Sequence, residues 1–329
     1  MLFIFFYKKS IKGKTFRIYL SCKQFFMRRC LIIIFIFYAA PLVAQKIDSI
    51  KYSNGFLFYY EYGKGETIIL LTGGPGNDCM QLSDMAVKLS KGNRVILFEQ
   101  RGTGHSKPIP FDSTTINLQS ALSDINLLLD HLNLNKAIIC GHSWGATLAM
   151  YYASLYPKKV RSLILIDPSP LLMGSEMYQT VAYNMNTRWG SEEHERLDSL
   201  NKKASENKLT TSDTKEFNYI YRLAYVSDKQ KIDSIIPKID VPRNQEMLQL
   251  IYGDINKSKI DLRESLKSFK HPVYLICGRQ DIGDYVCYEL KILYPSYNLS
   301  WIQNSGHFPM YEQPESFYKT IFNILDKIR

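Results

Sequence analysis

Short apolar runs with almost no polar interruption recur along this chain, and helical patterns separate most of them. The runs are Thr67–Leu71, Arg94–Phe98, Ala137–Cys140, Ser162–Ile166, Val273–Ile276 and Leu299–Ile302. Runs this short and this apolar fit strands buried on both faces. Between them, Asn117–Leu132 carries leucines and isoleucine at helical spacing, and Pro314–Ile328 does the same at the end. Strands alternating with helices predict an α/β fold, a mostly parallel central sheet flanked by helices. Ahead of it, Lys46–Tyr62 alternates polar and apolar residues around Ser53-Asn54-Gly55, which predicts an antiparallel hairpin.

The alternation breaks once. Residues 168–269 are polar, tyrosine-rich and helix-like, with no clear strand. They split a core made of 45–167 and 270–329, and predict a helical cap insertion over the sheet's carboxyl end, where ligands bind. Burial of the sheet's edge is the competing role for that block.

Charge changes the picture less than its total suggests. The formal net charge is +10, but residues 1–44 hold eight Lys/Arg and no Asp/Glu, leaving 33 basic against 31 acidic residues elsewhere. The basicity belongs to the leader, so no nucleic-acid partner is implied. Within that leader, Arg28-Arg29 precede the apolar run Leu31–Tyr38, and Ala39-Ala40 and Val43-Ala44 follow. A positive flank, a short apolar core and a small-residue exit predict a signal peptide cleaved near Ala44 and export to a periplasmic or external space. The run is shorter than the roughly 20 residues of a membrane span, so no stable span is expected after cleavage. An uncleaved inner-membrane anchor is the alternative, and Met27 is the suspected true start. Cleavage leaves Cys79, Cys140, Cys277 and Cys287 without any C-x-x-C spacing, which argues against a metal site. In an oxidising compartment the most plausible pair is Cys277 with Cys287.

The chemistry concentrates at Gly141-His142-Ser143-Trp144-Gly145, between the run Ala137–Cys140 and the small-residue stretch Ala146–Met150. Strand, sharp turn and helix is the context a G-x-S-x-G nucleophile requires. Ser143 is the candidate nucleophile. A serine hydroxyl needs a base oriented by an acid, and in this arrangement the order is Ser, acid, His. Asp281 follows the run Val273–Cys277 and His307 follows Leu299–Ile302, so both are expected on the side where Ser143 emerges. Asp284 competes with Asp281 but falls where the next helix should begin. Oxyanion donors are expected from the backbone N–H groups of Trp144 and Gly74, the latter in Thr72-Gly73-Gly74-Pro75-Gly76 after an early strand. Gly73 and His142 are candidates for lining the substrate pocket.

With these segments assembled, residues 45–329 resemble the α/β-hydrolase superfamily, and within it the proline iminopeptidase family. That family's H-G-G-P-G loop stands here as Thr72 to Gly76, its D-Q-R-G-x-G-x-S segment as Glu99 to Ser106, and its G-G-S-W-G elbow as Gly141 to Gly145. Its G-R-x-D loop is Gly278 to Asp281, and its G-H-F-P…E-Q-P segment runs from Gly306 to Pro314. The resemblance implies Ser-Asp-His catalysis without metal or organic cofactor, and release of N-terminal proline from small peptides. Thr72, Glu99 and His142 depart from the pattern. The family's acidic amine-gripping context of W-x-x-W-E type has no counterpart; Glu216 and Tyr221 in Glu216–Tyr225 are the nearest candidates for substrate binding. Two further readings stand beside the aminopeptidase: a carboxylesterase or lactonase acting on a small ester or amide, and a ligand receptor on the same scaffold.

Overall fold

The computed structural model of the chain describes residues 10–11, 14–15, 45–172 and 175–329. Met1–Ala44 and Gln45–Arg329 are separate units. In the first, Ser10–Ile11 pairs antiparallel with Lys14–Thr15; the rest of the expected leader lies outside the described residues.

The second unit is built on eight strands: β1 (Lys46–Tyr52), β2 (Gly55–Gly63), β3 (Glu66–Leu71), β4 (Asn93–Phe98), β5 (Ala137–His142), β6 (Val160–Ile166), β7 (Val273–Gly278) and β8 (Asn298–Ile302). Their order across the sheet is β8-β7-β6-β5-β3-β4-β2-β1. All neighbours from β8 to β4 are parallel, while β4–β2 and β2–β1 are antiparallel. The β1–β2 register ends on Tyr52 opposite Gly55, so Ser53-Asn54 form a two-residue turn.

The apolar runs follow from this topology. Ile69, Leu71, Ile96, Phe98 and Ile139 sit in one cluster with Leu122 and Ile125 of α2 (Leu118–His131) and Leu148 and Tyr152 of α3 (Trp144–Leu155). Residues of opposite parity, Ile68, Leu70, Val95 and Leu97, are equally inaccessible. Side chains alternate across a strand, so the sheet is covered on both faces. α1 (Ser83–Leu89), α10 (Asp284–Leu293) and α11 (Pro314–Ile328) also pack on the strands.

Between β6 and β7 the described residues form helices and no extended strand: α4 (Ser175–Asn186), α5 (Ser191–Ser205), α6 (Thr211–Leu223), α7 (Ile232–Ile239), α8 (Gln245–Ser258) and α9 (Leu262–Ser265). Their cores are small, such as Leu197, Leu200 and Ile220. α8 differs, because Met247, Ile251 and Ile255 join the main core.

Chain direction places the site. From β3 the chain steps outward to β4, and from β5 it steps the other way to β8. The carboxyl ends of β3 and β5 therefore flank the point where strand order reverses, where loops diverge and leave a crevice. The loop Thr72–Gly76 leaves β3 there, and Ser143 leaves β5.

Candidate active site

Ser143 occupies a backbone conformation that L-residues avoid, with φ 55° and ψ −122°. Such a conformation costs of order 1–3 kcal/mol and persists only where the surroundings enforce it. Its amide donates to Ile166 O at 2.9 Å, tying the turn to β6. Close packing enforces the rest. A Cβ on Gly145 would lie 2.1 Å from Leu71 O, and one on Gly141 2.2 Å from Gly145 O, so α3 lies directly against β3 and β5.

Asp281 and His307 come together from neighbouring loops. His307 Nδ1 lies 3.0 Å from Asp281 Oδ1, and both residues are buried. The acceptor is a carboxylate, so Nδ1 carries the proton and the Nε2 lone pair is left free. It is Asp281 that meets the imidazole, whereas Asp284 opens α10. The two loops brace one another: Gln280 N donates to Ser305 O at 2.8 Å, and Ser305 N to Gln280 Oε1 at 3.1 Å. Glu312 holds the histidine loop from beneath, accepting from Gly306 N at 2.9 Å, Phe308 N at 3.1 Å and Ser227 N at 2.8 Å. Ser143 and His307 line one cavity. The link from Ser143 Oγ to His307 Nε2 is not among the hydrogen bonds of the described residues, and in unliganded sites such links are often long.

Two buried titratable groups surround this pair. His142 Nε2 lies 2.7 Å from His307 O and must donate to it; its Nδ1 is then an acceptor with no partner among the described residues. Burial, with the neighbouring His307 ring second, pushes its pKa down to about 3, so the imidazole is neutral. Asp167, at φ 42°, follows β6 as Asp281 follows β7. Its Oδ1 accepts from Gly278 N at 2.7 Å, and Oδ2 of both aspartates finds no partner among the described residues. Burial and then the charge of Asp281 raise Asp167 well above the usual carboxylate range. Both causes favour the protonated form of Asp167.

The expected oxyanion donors stand on opposite sides of the crevice. Trp144 N–H is in the first turn of α3, where no intrahelical acceptor exists. Gly74 has φ +123°, which only glycine adopts without strain. Neither amide has an acceptor among the described residues. One side chain joins the two: Gln100 Nε2 donates to Thr72 O at 2.7 Å, and Gln100 Oε1 accepts from Trp144 Nε1 at 3.1 Å.

The cavity beside Ser143 measures about 500 Å³, within the range of small-molecule sites. Gly73, Gly74, His142 and Tyr221 line it. Glu216 does not: its carboxylate accepts from Arg196 Nε at 2.8 Å, across from α5 to α6, and it is absent from the cavity wall. Sequence reasoning passed over Gln100, Asp167 and Glu312. Gln100 and Glu312 stood inside quoted motifs without a role, and Asp167 could have been found as a second aspartate at a strand's carboxyl end.

Known proteins resemble this chain over most of its length. A proline iminopeptidase of Heyndrickxia coagulans is 28% identical over 287 residues, covering 83% of this chain and 95% of that protein. The structure of a proline iminopeptidase from Mycobacterium smegmatis matches with a TM-score of 0.67 at 16% identity, over 86% of this chain and 98% of that one. A structure described among carboxylesterases of Nitrososphaera gargenis matches with a TM-score of 0.62 at 21% identity, over 86% and 98%. The model of the alpha/beta hydrolase fold family matches residues 66–314, and the chain belongs to that family.

Proposed function

We propose that the protein is a serine hydrolase that cleaves the acyl bond of a small amide, peptide or ester, with Ser143 as nucleophile, His307 as base and Asp281 as its orienting acid. The observation that carries this is the Asp281–His307 hydrogen bond of 3.0 Å beside a cavity whose wall holds Ser143 in a strained turn. With Nδ1–H held by Asp281, His307 Nε2 takes the proton of Ser143 as Oγ attacks the carbonyl. Charge then develops on the carbonyl oxygen, facing the N–H groups of Gly74 and Trp144. Collapse expels the leaving group, which receives the proton from His307, and water releases the acyl group by the same steps in reverse roles.

The proline iminopeptidase named above, matched over 95% of its length, supports an N-terminal prolyl amide as the first substrate to try. A second reading, a small-ester hydrolase, is favoured by one observation. Among the described residues no carboxylate lines the cavity to receive a substrate ammonium, and Glu216 is committed to Arg196. A fluorophosphonate probe tests the class: labelling is expected in the wild type and absent in Ser143→Ala. Labelling that persists in Ser143→Ala would exclude Ser143 as nucleophile. Release from prolyl 4-nitroanilide against 4-nitrophenyl acetate then separates the two substrates.

A further inference from the structure

The charge on the cavity wall points away from a cationic substrate. Among the described residues the wall carries two arginines, Arg222 and Arg243, and no aspartate or glutamate. Arg222 is already paired with Asp240. Arg243 forms no ion pair with any described carboxylate. Asp281 does not line that wall, and its carboxylate is bonded to the His307 imidazole.

The position of Arg243 is fixed by its backbone. It bridges antiparallel to Asn77, just beyond the Thr72–Gly76 loop. On one side Asp78 N donates to Pro242 O at 2.9 Å, and on the other Asn244 N donates to Gly76 O at 2.8 Å. Asn244 Nδ2 also donates to Gly102 O at 2.8 Å. The segment that carries the guanidinium is thus hydrogen-bonded to the segment that carries the Gly74 amide. A guanidinium is a planar fork matched to a carboxylate and keeps its charge at every working pH. A cleft lined by one sign of charge concentrates ligands of the other.

We infer that the substrate of this site bears a carboxylate within reach of the scissile carbonyl, and that Arg243 receives it. The inference deepens the hydrolase reading and rests on it for the place of the reacting bond. Two sources supply the same chemistry. A dicarboxylate half-ester or half-amide carries the anion on the acyl side, and a di- or tripeptide carries it at its free C-terminus, on the leaving-group side.

Paired substrates test it. Mono-4-nitrophenyl glutarate is compared with 4-nitrophenyl valerate, and prolyl-glycine with prolyl-glycinamide, in wild type and Arg243→Gln. The wild type is expected to favour the anionic member of one pair, and Arg243→Gln to reduce that preference in kcat/KM by roughly 10- to 100-fold, the range of a lost charged hydrogen bond. The pair that responds identifies the side of the anion. A preference ratio unchanged in both pairs overturns the inference. If the wild type turns over none of the four, the hydrolase reading fails, and titration of glutarate and prolyl-glycine into Ser143→Ala and Ser143→Ala/Arg243→Gln decides the anion site by itself. Binding at least tenfold weaker in the double variant sustains it, and equal or absent binding defeats it. Should Arg243→Gln not fold, competition of glutarate, but not glutaramide, against the neutral ester in the wild type gives the same decision.

Discussion

Replacing Gln100 by methionine keeps the side-chain length and removes both of its hydrogen bonds. The residue is buried, as are its partners Thr72 and Trp144. Methionine leaves the Thr72 carbonyl without its donor and the Trp144 indole N–H without its acceptor. Each buried group left unpaired costs about 1–3 kcal/mol, so the variant should be less stable by about 2–6 kcal/mol. Catalysis should suffer separately, because Gln100 is the side chain that spans from the Gly74 loop to the residue that opens α3. Losing an oxyanion donor outright costs about 10²–10³ in kcat, and a displaced donor should cost less, roughly 10- to 100-fold. Urea unfolding followed by tryptophan fluorescence reads the first effect, and steady-state turnover of an activated ester reads the second. A Gln100→Met protein with wild-type unfolding midpoint and wild-type kcat would show that the bridge neither stabilises the crevice nor positions its amides.

Two further substitutions probe the buried titratable groups. His142 is neutral in the folded protein because its pKa lies near 3, whereas in the unfolded chain it protonates near 6.5. Between those values the unfolded state binds the extra proton, so stability rises with pH and is lost as pH falls below about 6.5, by about 2 kcal/mol from this residue at pH 5. His142→Asn should remove that part of the acid limb from urea-unfolding curves; an unchanged limb would mean the imidazole is charged when folded. Asp167 and Asp281 should separate sharply in kcat. Because burial favours the protonated form of Asp167, Asp167→Asn resembles that form and should keep at least about a tenth of the activity, while Asp281→Asn removes the acceptor of His307 Nδ1 and should lose about 10³–10⁴-fold by analogy with orienting acids elsewhere. Equal losses would refute Asp281 as the carboxylate that orients His307.

The sheet was legible because burial on both faces leaves Ile68–Leu71 of β3, Ala137–Cys140 of β5 and Leu163–Ile166 of β6 wholly apolar, and glycine or polar residues mark where each run stops. The hairpin was legible for the opposite reason, its alternation of exposed and buried positions. Ser143, Asp281 and His307 stood out as candidates because each lies in the loop after a strand-like run, and parallel strands deliver their carboxyl ends to one side; β8, after which His307 comes, is the half-exposed edge strand rather than one buried on both faces. Side chains that act across the fold could not be read this way. The pairing of Gln100 with Thr72 and Trp144, or of Glu312 with Ser227, joins residues far apart in sequence, and no local pattern encodes that proximity. Glu216 shows the converse. Its place in the helical segment suggested a substrate contact, but a neighbouring helix brings Arg196 to it first.

The bond between Cys277 and Cys287 ties the last turn of β7 to α10. The residues between them form a ring, and Asp281 hangs from it. Closing a ring with a sequence separation of 10 is worth about 2.5–3 kcal/mol in chain entropy, a leash on the one carboxylate that the imidazole needs. Both sulfurs are hidden in the finished protein, out of reach of a dissolved thiol. Exchange with such a thiol needs α10 to part from the end of β7 first, so the leash lets go only where the loop it holds has already opened.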